Sequence, residues 1–149
     1  MKKLFVFFLL VFALSACGGK EVVKQSDEGL RTSRALESLE GMRQAYIARD
    51  LVGVFRYVSD DFKYGYPEFQ SGLKQDLETY PKADISFEVD RIIVTDASTK
   101  VVFHWSGSWT DKNGIIRDAR GNSTFIFKPS GNPAMIQSMT GDAPLGVAR

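Results

Sequence analysis

The chain of 149 residues contains one cysteine, Cys17, and one histidine, His104, so the chemistry open to it is narrow. A single cysteine cannot form an internal disulfide bond, and a single histidine cannot build a histidine-based metal centre. We therefore predict no metal and no cofactor. Proton transfer would need His104 beside a carboxylate, for which Glu88, Asp90 and Asp118 in neighbouring predicted strands are the candidates.

The other candidate charges are a pair of adjacent acids, Asp60-Asp61, and the arginines of the predicted strands. Adjacent residues point apart in an extended chain, so the acid pair is predicted to serve a turn. Arg91, Arg117 and Arg120 are expected to face solvent, although an inward arginine would bind a carboxylate through two nitrogens. Whether Arg117 or Arg120 faces inward depends on the length of the hairpin loop before them. Loops of about two and about three residues shift the following strand by one residue and so direct opposite sets of its side chains inward.

Trp105 and Trp109 lie on one face of a predicted strand, and His104 lies on the other. The two indoles either fill the core beneath the helices or line a ligand cleft, since aromatic side chains serve both purposes. We expect His104 to be exposed or at a dimer contact. No catalytic residue is assigned. The side chains that could line a pocket are Tyr46, Tyr64, Tyr66, His104, Trp105, Trp109 and Arg120.

The beginning of the chain explains its single cysteine. Met1-Lys2-Lys3 is a short basic segment, and Leu4 to Leu14 follows without a polar side chain. This apolar run is typical of a secretory signal sequence and is shorter than the roughly 20 residues that a membrane-spanning helix needs. Leu14-Ser15-Ala16-Cys17 resembles the bacterial lipobox, which implies cleavage before Cys17 and attachment of acyl chains to this residue.

These features divide the chain into a lipoprotein signal peptide (residues 1–16), a lipidated flexible tether (17–32) and a folded domain (33–149). The lipid would hold the protein on the cell envelope, and Gly18 after the cysteine favours, by resemblance, the periplasmic face of the outer membrane. Lysine and arginine number 19 against 18 aspartate and glutamate, so no nucleic-acid partner is predicted. The expected partners are the membrane, through the anchor, and a hydrophobic small molecule or an envelope protein.

Apolar residues at spacings of three and four predict three helices. The first is capped by Ser33, a short second one follows Asp50, and the third begins at Pro67 and ends before Pro81. Alternating apolar and polar residues predict strands over about residues 85–95, 100–110, 116–128 and 135–140. Helices followed by an antiparallel meander predict an α+β domain with the helices on one face of a sheet.

This order of elements resembles the NTF2-like (SnoaL-like, cystatin-like) superfamily over roughly residues 33–146. The resemblance rests on the pattern of elements and on short segments at their ends, namely Ala48-Arg49-Asp50, Ser59-Asp60-Asp61-Phe62, Leu77-Glu78-Thr79-Tyr80, Asn113-Gly114 and Ile136 to Asp142. It implies a cone in which the N-terminal helices pack in the concave face of a curved sheet. Proteins of this superfamily commonly dimerise through the sheet, so the resemblance also implies that this chain could form a homodimer in that way.

Enzymes of this superfamily, such as ketosteroid isomerase, use a carboxylate or histidine inside the cone. The isomerase pattern places its base just before a proline and a few residues after an Asp-Asp pair, which on this chain is Tyr66. Its tyrosine donor falls near Met42, with Tyr46 one turn away. A phenol with an ordinary pKa of about 10 is a poor base at neutral pH. The resemblance therefore does not carry isomerase chemistry to this chain.

The sequence thus predicts an envelope lipoprotein whose NTF2-like domain binds a small ligand or a protein without catalysis. The alternative is an NTF2-like enzyme of isomerase, dehydratase or hydrolase type that acts on a hydrophobic small molecule. A third hypothesis is structural: the strand face of Val102, Ser106 and Ser108 forms a homodimer.

Overall fold

The structure, a computed structural model, describes residues 26–62 and 66–146 of the chain. The predicted signal peptide, Cys17, Tyr64 and the predicted tether up to residue 25 lie outside the described residues. Three helices precede four strands: α1 Asp27–Ile47, α2 Leu51–Phe55, α3 Tyr66–Thr79, β1 Lys82–Thr95, β2 Ser98–Thr110, β3 Ile116–Phe127 and β4 Ile136–Gly141. None of the helices in the described parts is both long and apolar enough to cross a membrane.

Helix α1 begins at Asp27, earlier than the start at Ser33 that the sequence analysis predicts. The Ser26 hydroxyl caps the helix by accepting a hydrogen bond from the Gly29 N–H at 3.1 Å. Asp27 and Glu28 add negative charge to the first turn, where the helix dipole favours it. Residues 27–32, predicted as part of the tether, are therefore helical.

The turn after α1 connects all three helices. Arg49 adopts a left-handed backbone conformation (φ 64°) that ends α1, and the Asp50 carboxylate then caps α2 through the Gly53 N–H at 2.8 Å. The guanidinium of Arg49 donates to the carbonyls of Leu77 and Tyr80 at the end of α3. Its positive charge there complements the helix dipole.

The four strands form one antiparallel sheet in the order β1-β2-β3-β4. A register shift between Val89 and Arg91 in β1, and another between Ile126 and Phe127 in β3, mark bulges, which bend and twist a sheet. Helix α1 packs against β1 and β2, so one face of the sheet is covered by helices. We call this the inner face and the opposite one the outer face.

The inner face holds the core. Its buried side chains alternate along β2 as predicted, and they meet the buried positions of the helices; the set includes Leu39, Met42, Leu73, Ile85, Val101, Phe103, Trp105, Trp109, Phe125, Phe127 and Met139. Because successive residues of a strand point to opposite faces, the intervening polar side chains lie on the outer face.

The loop between β2 and β3 fixes which arginine faces inward. The strands pair Thr110 with Ile116, which is the register of an odd-numbered loop. The Asp111 carboxylate holds this loop by accepting from the N–H groups of Asn113 and Ile115, both at 2.8 Å. The loop comprises residues 111–115, so both lengths considered in the sequence analysis are wrong, and its odd number of residues gives the same facing as the three-residue alternative.

In this register Arg117 pairs with Trp109 on the inner-face side, and Arg120 pairs with Ser106 on the outer face. Arg117 lies at the rim of the sheet, where its guanidinium donates to the Tyr80 hydroxyl at 3.3 Å. Arg120 is exposed. The question that the sequence left open is thus resolved: Arg120 faces away from the helices.

Candidate functional site

Three hydrogen-bonded side chains lie inside the cone and form what we call the interior network. Trp109 Nε1 donates to the Tyr46 hydroxyl at 2.7 Å, and this hydroxyl donates to Asp76 Oδ2 at 2.7 Å. The three residues are 0%, 2% and 1% exposed, respectively. They come from β2, α1 and α3, so the network joins three elements.

The environment of the interior network favours the protonated form of the Tyr46 phenol. Burial, and after it the negative charge of Asp76, raises the pKa of the Tyr46 phenol far above its ordinary value. The Tyr46 hydroxyl donates its one hydrogen bond to Asp76 and accepts one from Trp109, so a neutral tyrosine bridges these two residues. In this arrangement Tyr46 links α1 to α3 through Asp76 and to β2 through Trp109.

Asp76 is a residue that the sequence analysis missed. The apolar residues of this part of the sequence, Phe69, Leu73, Leu77 and Tyr80, recur at spacings of three and four. The spacing of Asp76, three residues after Leu73 and four before Tyr80, puts it on the same face as these residues. An acid within an apolar stripe is the signal that could have identified it.

Aromatic rings occupy the inside of the cone around this network. Trp105 and Trp109 meet edge to face with ring centroids 6.3 Å apart, and Phe103 meets Phe125 in the same way at 4.9 Å. Trp105 Nε1 donates to the backbone carbonyl of Asp142 at 3.0 Å. Of the two roles considered for the tryptophans, the structure places both in the core with their indole N–H groups satisfied.

The segment after β4 covers the interior network from the side of α3. Leu145 is fully buried, and the Gly146 N–H donates to Asp76 Oδ2 at 2.5 Å. Gly146 lies so close to Gly72 of α3 that a Cβ on Gly72 would be 3.3 Å from the Gly146 Cα. The end of the described chain therefore packs directly on the helix that carries Asp76.

The outer face carries three successive rows of polar side chains, each crossing β1, β2 and β3. The strand register sets the rows as Asp84–Ser108–Asp118, Ser86–Ser106–Arg120 and Glu88–His104–Asn122. The first two rows line a groove of about 520 Å³, whose floor is formed by Ile85, Gly107 and Ala119. We call this concavity the outer groove.

The polar groups of the outer groove are only partly used by the protein. The hydroxyls of Ser86 and Ser106 lie 3.0 Å apart, within hydrogen-bond distance. Among the described residues, none accepts a hydrogen bond from the Arg120 guanidinium and none donates one to Asp118. Gly107 allows the floor to lie against the core, since a Cβ there would be 2.4 Å from the Trp109 ring. The outer groove thus exposes the charged groups of Asp118 and Arg120 on the side of the sheet opposite to the interior network.

His104 lies in the third row, held between two acids. Its Nδ1 is 3.0 Å from Asp90 Oδ1 and its Nε2 is 3.1 Å from Glu88 Oε2. The hydrogen bond to Asp90 is the main cause that raises the pKa of this imidazole, with the charges of both acids adding to it. Asp90 is the extra residue of the β1 bulge. Asp118, the third predicted neighbour, lies opposite Ser108 instead.

The pocket residues predicted from sequence therefore fall into two groups. Tyr46, Trp105 and Trp109 are buried inside the cone, whereas His104 and Arg120 are exposed on the outer face. Tyr66 begins α3, and Tyr64 lies outside the described residues. The groove residues Asp84 and Ser86 were not singled out, because only the register of the folded sheet brings them beside Arg120.

Within residues 26–62 and 66–146, no three His, Cys, Asp or Glu side chains are grouped so that they could hold a metal ion. The cluster of His104, Glu88 and Asp90 is an ion-paired histidine, in which both ring nitrogens already face carboxylates.

Comparison with known proteins identifies the fold through structure and not through sequence. No protein-family model matches the chain. No curated protein matches it either.

Several solved structures match it with 9–17% sequence identity. A conserved protein from Planctomyces limnophilus matches with a TM-score of 0.66 and 15% identity, covering 72% of this chain and 91% of its own. An NTF2-like superfamily protein from Salmonella enterica gives 0.65 and 14%, covering 77% and 92%. A protein from Streptomyces avermitilis, named as a candidate dehydratase of the NTF2-like family, gives 0.62 and 10%, covering 75% and 95%.

At these identities the likeness shows the fold alone. The fold class predicted from the sequence is confirmed: helices followed by a curved four-stranded antiparallel sheet, as in the NTF2-like cone.

Proposed function

We propose that this chain is a binding module, held on the bacterial cell envelope by a lipid on Cys17, that recognises its ligand or partner on the outer face of the sheet. The observation that carries the proposal is the contrast between the two sides of β2. Inside the cone, Tyr46, Asp76 and Trp109 bond to one another among buried rings. Outside, Arg120 and Asp118 face an open groove of about 520 Å³.

Catalysis by proton transfer would need a titratable side chain at a cavity that excludes water. His104, the one histidine of the chain, is exposed and lies on the opposite face from Trp105. Both its ring nitrogens are paired with acids. These contacts support a role in binding or in shaping the surface.

The envelope location is proposed from the sequence of the first 17 residues. Acyl chains on Cys17 would contribute roughly 0.8 kcal/mol per buried CH₂ group, enough for two or three chains to hold the protein on a bilayer. Mass spectrometry of the mature N-terminus tests this directly. We expect a diacylglyceryl group on Cys17; a free thiol at this residue in the native protein would contradict the anchor.

The binding role is tested by a thermal-shift screen of the full chain in neutral detergent, with amino acids, short peptides and aromatic small molecules. Each compound that raises the melting temperature is then followed by mass spectrometry. We expect it to be recovered unchanged, and its effect to be lost in Arg120→Ala but kept in Tyr46→Phe. A compound that is chemically converted by the wild type and not by Tyr46→Phe would refute the proposal.

The second candidate is an enzyme acting on a hydrophobic small molecule inside the cone. The observation that favours it is the buried carboxylate of Asp76 beside the Tyr46 phenol, since buried acids and phenols are common in active sites. The same screen separates the two candidates, because only an enzyme would consume its ligand through these interior residues.

A further inference from the structure

The outer groove has the chemistry of a site for a zwitterion, and we propose that it binds a short peptide with free ends, of dipeptide size. The ammonium group would lie between Asp84 and Asp118, and the carboxylate would lie on Arg120. This inference deepens the proposed function and rests on it, since it names the ligand class of the same groove.

The first row provides the place for the ammonium group. Asp84 and Asp118 flank Ser108 in one cross-strand row, on the first and third of three adjacent strands. Neighbouring strands are about 4.8 Å apart, so the two acids stand about 10 Å apart at the backbone with the serine between them. Side chains leaning from both sides would bring three oxygen acceptors around one ammonium group.

Arg43 of α1 is one cation on which an acid of this pair acts. The charge of Asp84 acts on Arg43, but the Arg43 guanidinium is bonded to the Glu40 carboxylate at 2.7 and 2.8 Å and to the Ile85 carbonyl at 2.8 Å. Its donors are therefore directed at other groups, and none of the residues that the structure describes donates a side-chain hydrogen bond to Asp84.

The second row provides the place for the carboxylate. Arg120 follows Asp118 by two residues on the same strand face, and it pairs with Ser106. Its planar guanidinium can hold a carboxylate through two parallel hydrogen bonds. The hydroxyls of Ser86 and Ser106, 3.0 Å apart, lie in the same row and can donate to the same ligand.

The spacing of the two rows selects the length of the ligand. Two residues along an antiparallel strand advance about 7 Å, which separates the acid row from the arginine row. A dipeptide spans at most about 7 Å between its ends, whereas a single amino acid spans about half of that. The groove volume of about 520 Å³ accommodates a molecule of this size.

The charges of the groove also match such a ligand. Its two acids and one arginine leave a net charge of −1, so an ammonium group is attracted to one end while the guanidinium repels it from the other. A dipeptide would therefore bind in one direction along the strands, with its ammonium group at the acid row and its carboxylate at the arginine row.

The test is isothermal titration of the full chain, in neutral detergent, with L-alanyl-L-alanine. N-acetyl-alanyl-alanine lacks the ammonium group, alanyl-alanine amide lacks the carboxylate, and free alanine is too short. We expect each of the three to bind at least about tenfold more weakly than the dipeptide, because the first two lack one charged group and free alanine cannot reach both rows. Equal binding of all four, or none by the dipeptide, would overturn the proposal.

Variants assign the two ends. Arg120→Ala should bind the dipeptide and its amide equally, and Asp118→Asn should reduce the difference between the dipeptide and its N-acetyl form. Arg91→Ala is the matched control, an exposed arginine outside the groove residues that should leave all four titrations unchanged. An Arg91→Ala variant that lost binding as Arg120→Ala does would refute the assigned geometry.

Light scattering separates failure of this inference from failure of the proposed function. If the wild type is a dimer that Arg120→Ala converts to a monomer, and it binds no dipeptide, a second copy of the chain occupies the groove and the peptide proposal is wrong. If instead another compound binds unchanged and loses its effect in Arg120→Ala, the binding role stands and the dipeptide is wrong.

Discussion

The two faces of the sheet differ in how their polar atoms are used, although both are built from the same strands. On the inner face of β2, the indole of Trp109 is buried and its N–H is bonded to Tyr46. On the outer face of the same strand, Ser106 and Ser108 line an open groove beside Arg120. Buried polar groups must be paired with each other, whereas exposed ones remain free to bind a partner. Stability and recognition can therefore be altered separately, by changing alternate residues of one strand.

The strongest test of this contrast is Trp109→Ala. The substitution removes a fully buried ring and the donor to Tyr46, so we expect it to lower the free energy of unfolding by about 3–5 kcal/mol in urea denaturation. Ser108→Ala, the adjacent residue on the outer face, is the control and should change it by less than about 0.5 kcal/mol. Equal losses for the two variants would show that the faces do not differ as described.

A smaller loss is expected for Tyr46→Phe. Without the hydroxyl, the buried Trp109 Nε1 has no acceptor in the interior network and Asp76 loses one donor, which costs about 1–3 kcal/mol. Tyr57→Phe is the matched control, because the Tyr57 side chain is only partly buried and its hydroxyl bonds to none of the described residues. If Tyr57→Phe destabilised the protein as much, the interior network would not be the cause.

For the outer face we predict a change in the titration of a side chain, that of His104. Because Asp90 and Glu88 raise the pKa of His104, its imidazole should titrate above its ordinary value of about 6.5 in an NMR titration of the histidine ring. Asp90→Asn should lower that pKa more than Glu88→Gln does, since the bond to Asp90 is the larger cause. A pKa at or below the ordinary value in the wild type would contradict the two ion pairs.

The sign of the linked stability follows from the raised pKa. Protonated His104 is favoured in the folded protein, so its contribution is fully present below the unfolded pKa of about 6.5 and is lost as the pH rises through the folded pKa. The side chain is exposed, so the effect should be small. Urea unfolding at several pH values, compared between wild type and His104→Gln, measures it.

The sequence predicted the sheet well because alternation is a direct result of strand geometry. The strand beginning at about Ile116 and the shared face of Trp105 and Trp109, opposite His104, were both predicted correctly. The start of α1 was wrong because the first turns lack apolar periodicity. The capping signal of Ser26, with Asp27 and Glu28 after it, was nevertheless present.

The two candidate sites were harder to predict for different reasons. The interior network depends on Asp76, a buried acid whose contacts come from Tyr46 of α1 and from Gly146 at the end of the described chain. The outer groove depends on strand register. Arg120 meets Ser106, and Asp118 meets Ser108, only because the loop held by Asp111 has an odd length. A one-residue change in that loop would exchange the two faces of β3.

The most direct measurement of the central claim compares two single variants in one binding experiment. L-alanyl-L-alanine is titrated into the full chain carrying either Arg120→Ala, in the outer groove, or Tyr46→Phe, inside the cone. The account predicts that the first variant weakens binding by about tenfold or more, while the second binds as the wild type does. Binding that is lost in Tyr46→Phe and kept in Arg120→Ala would contradict it, because recognition would then occur inside the cone.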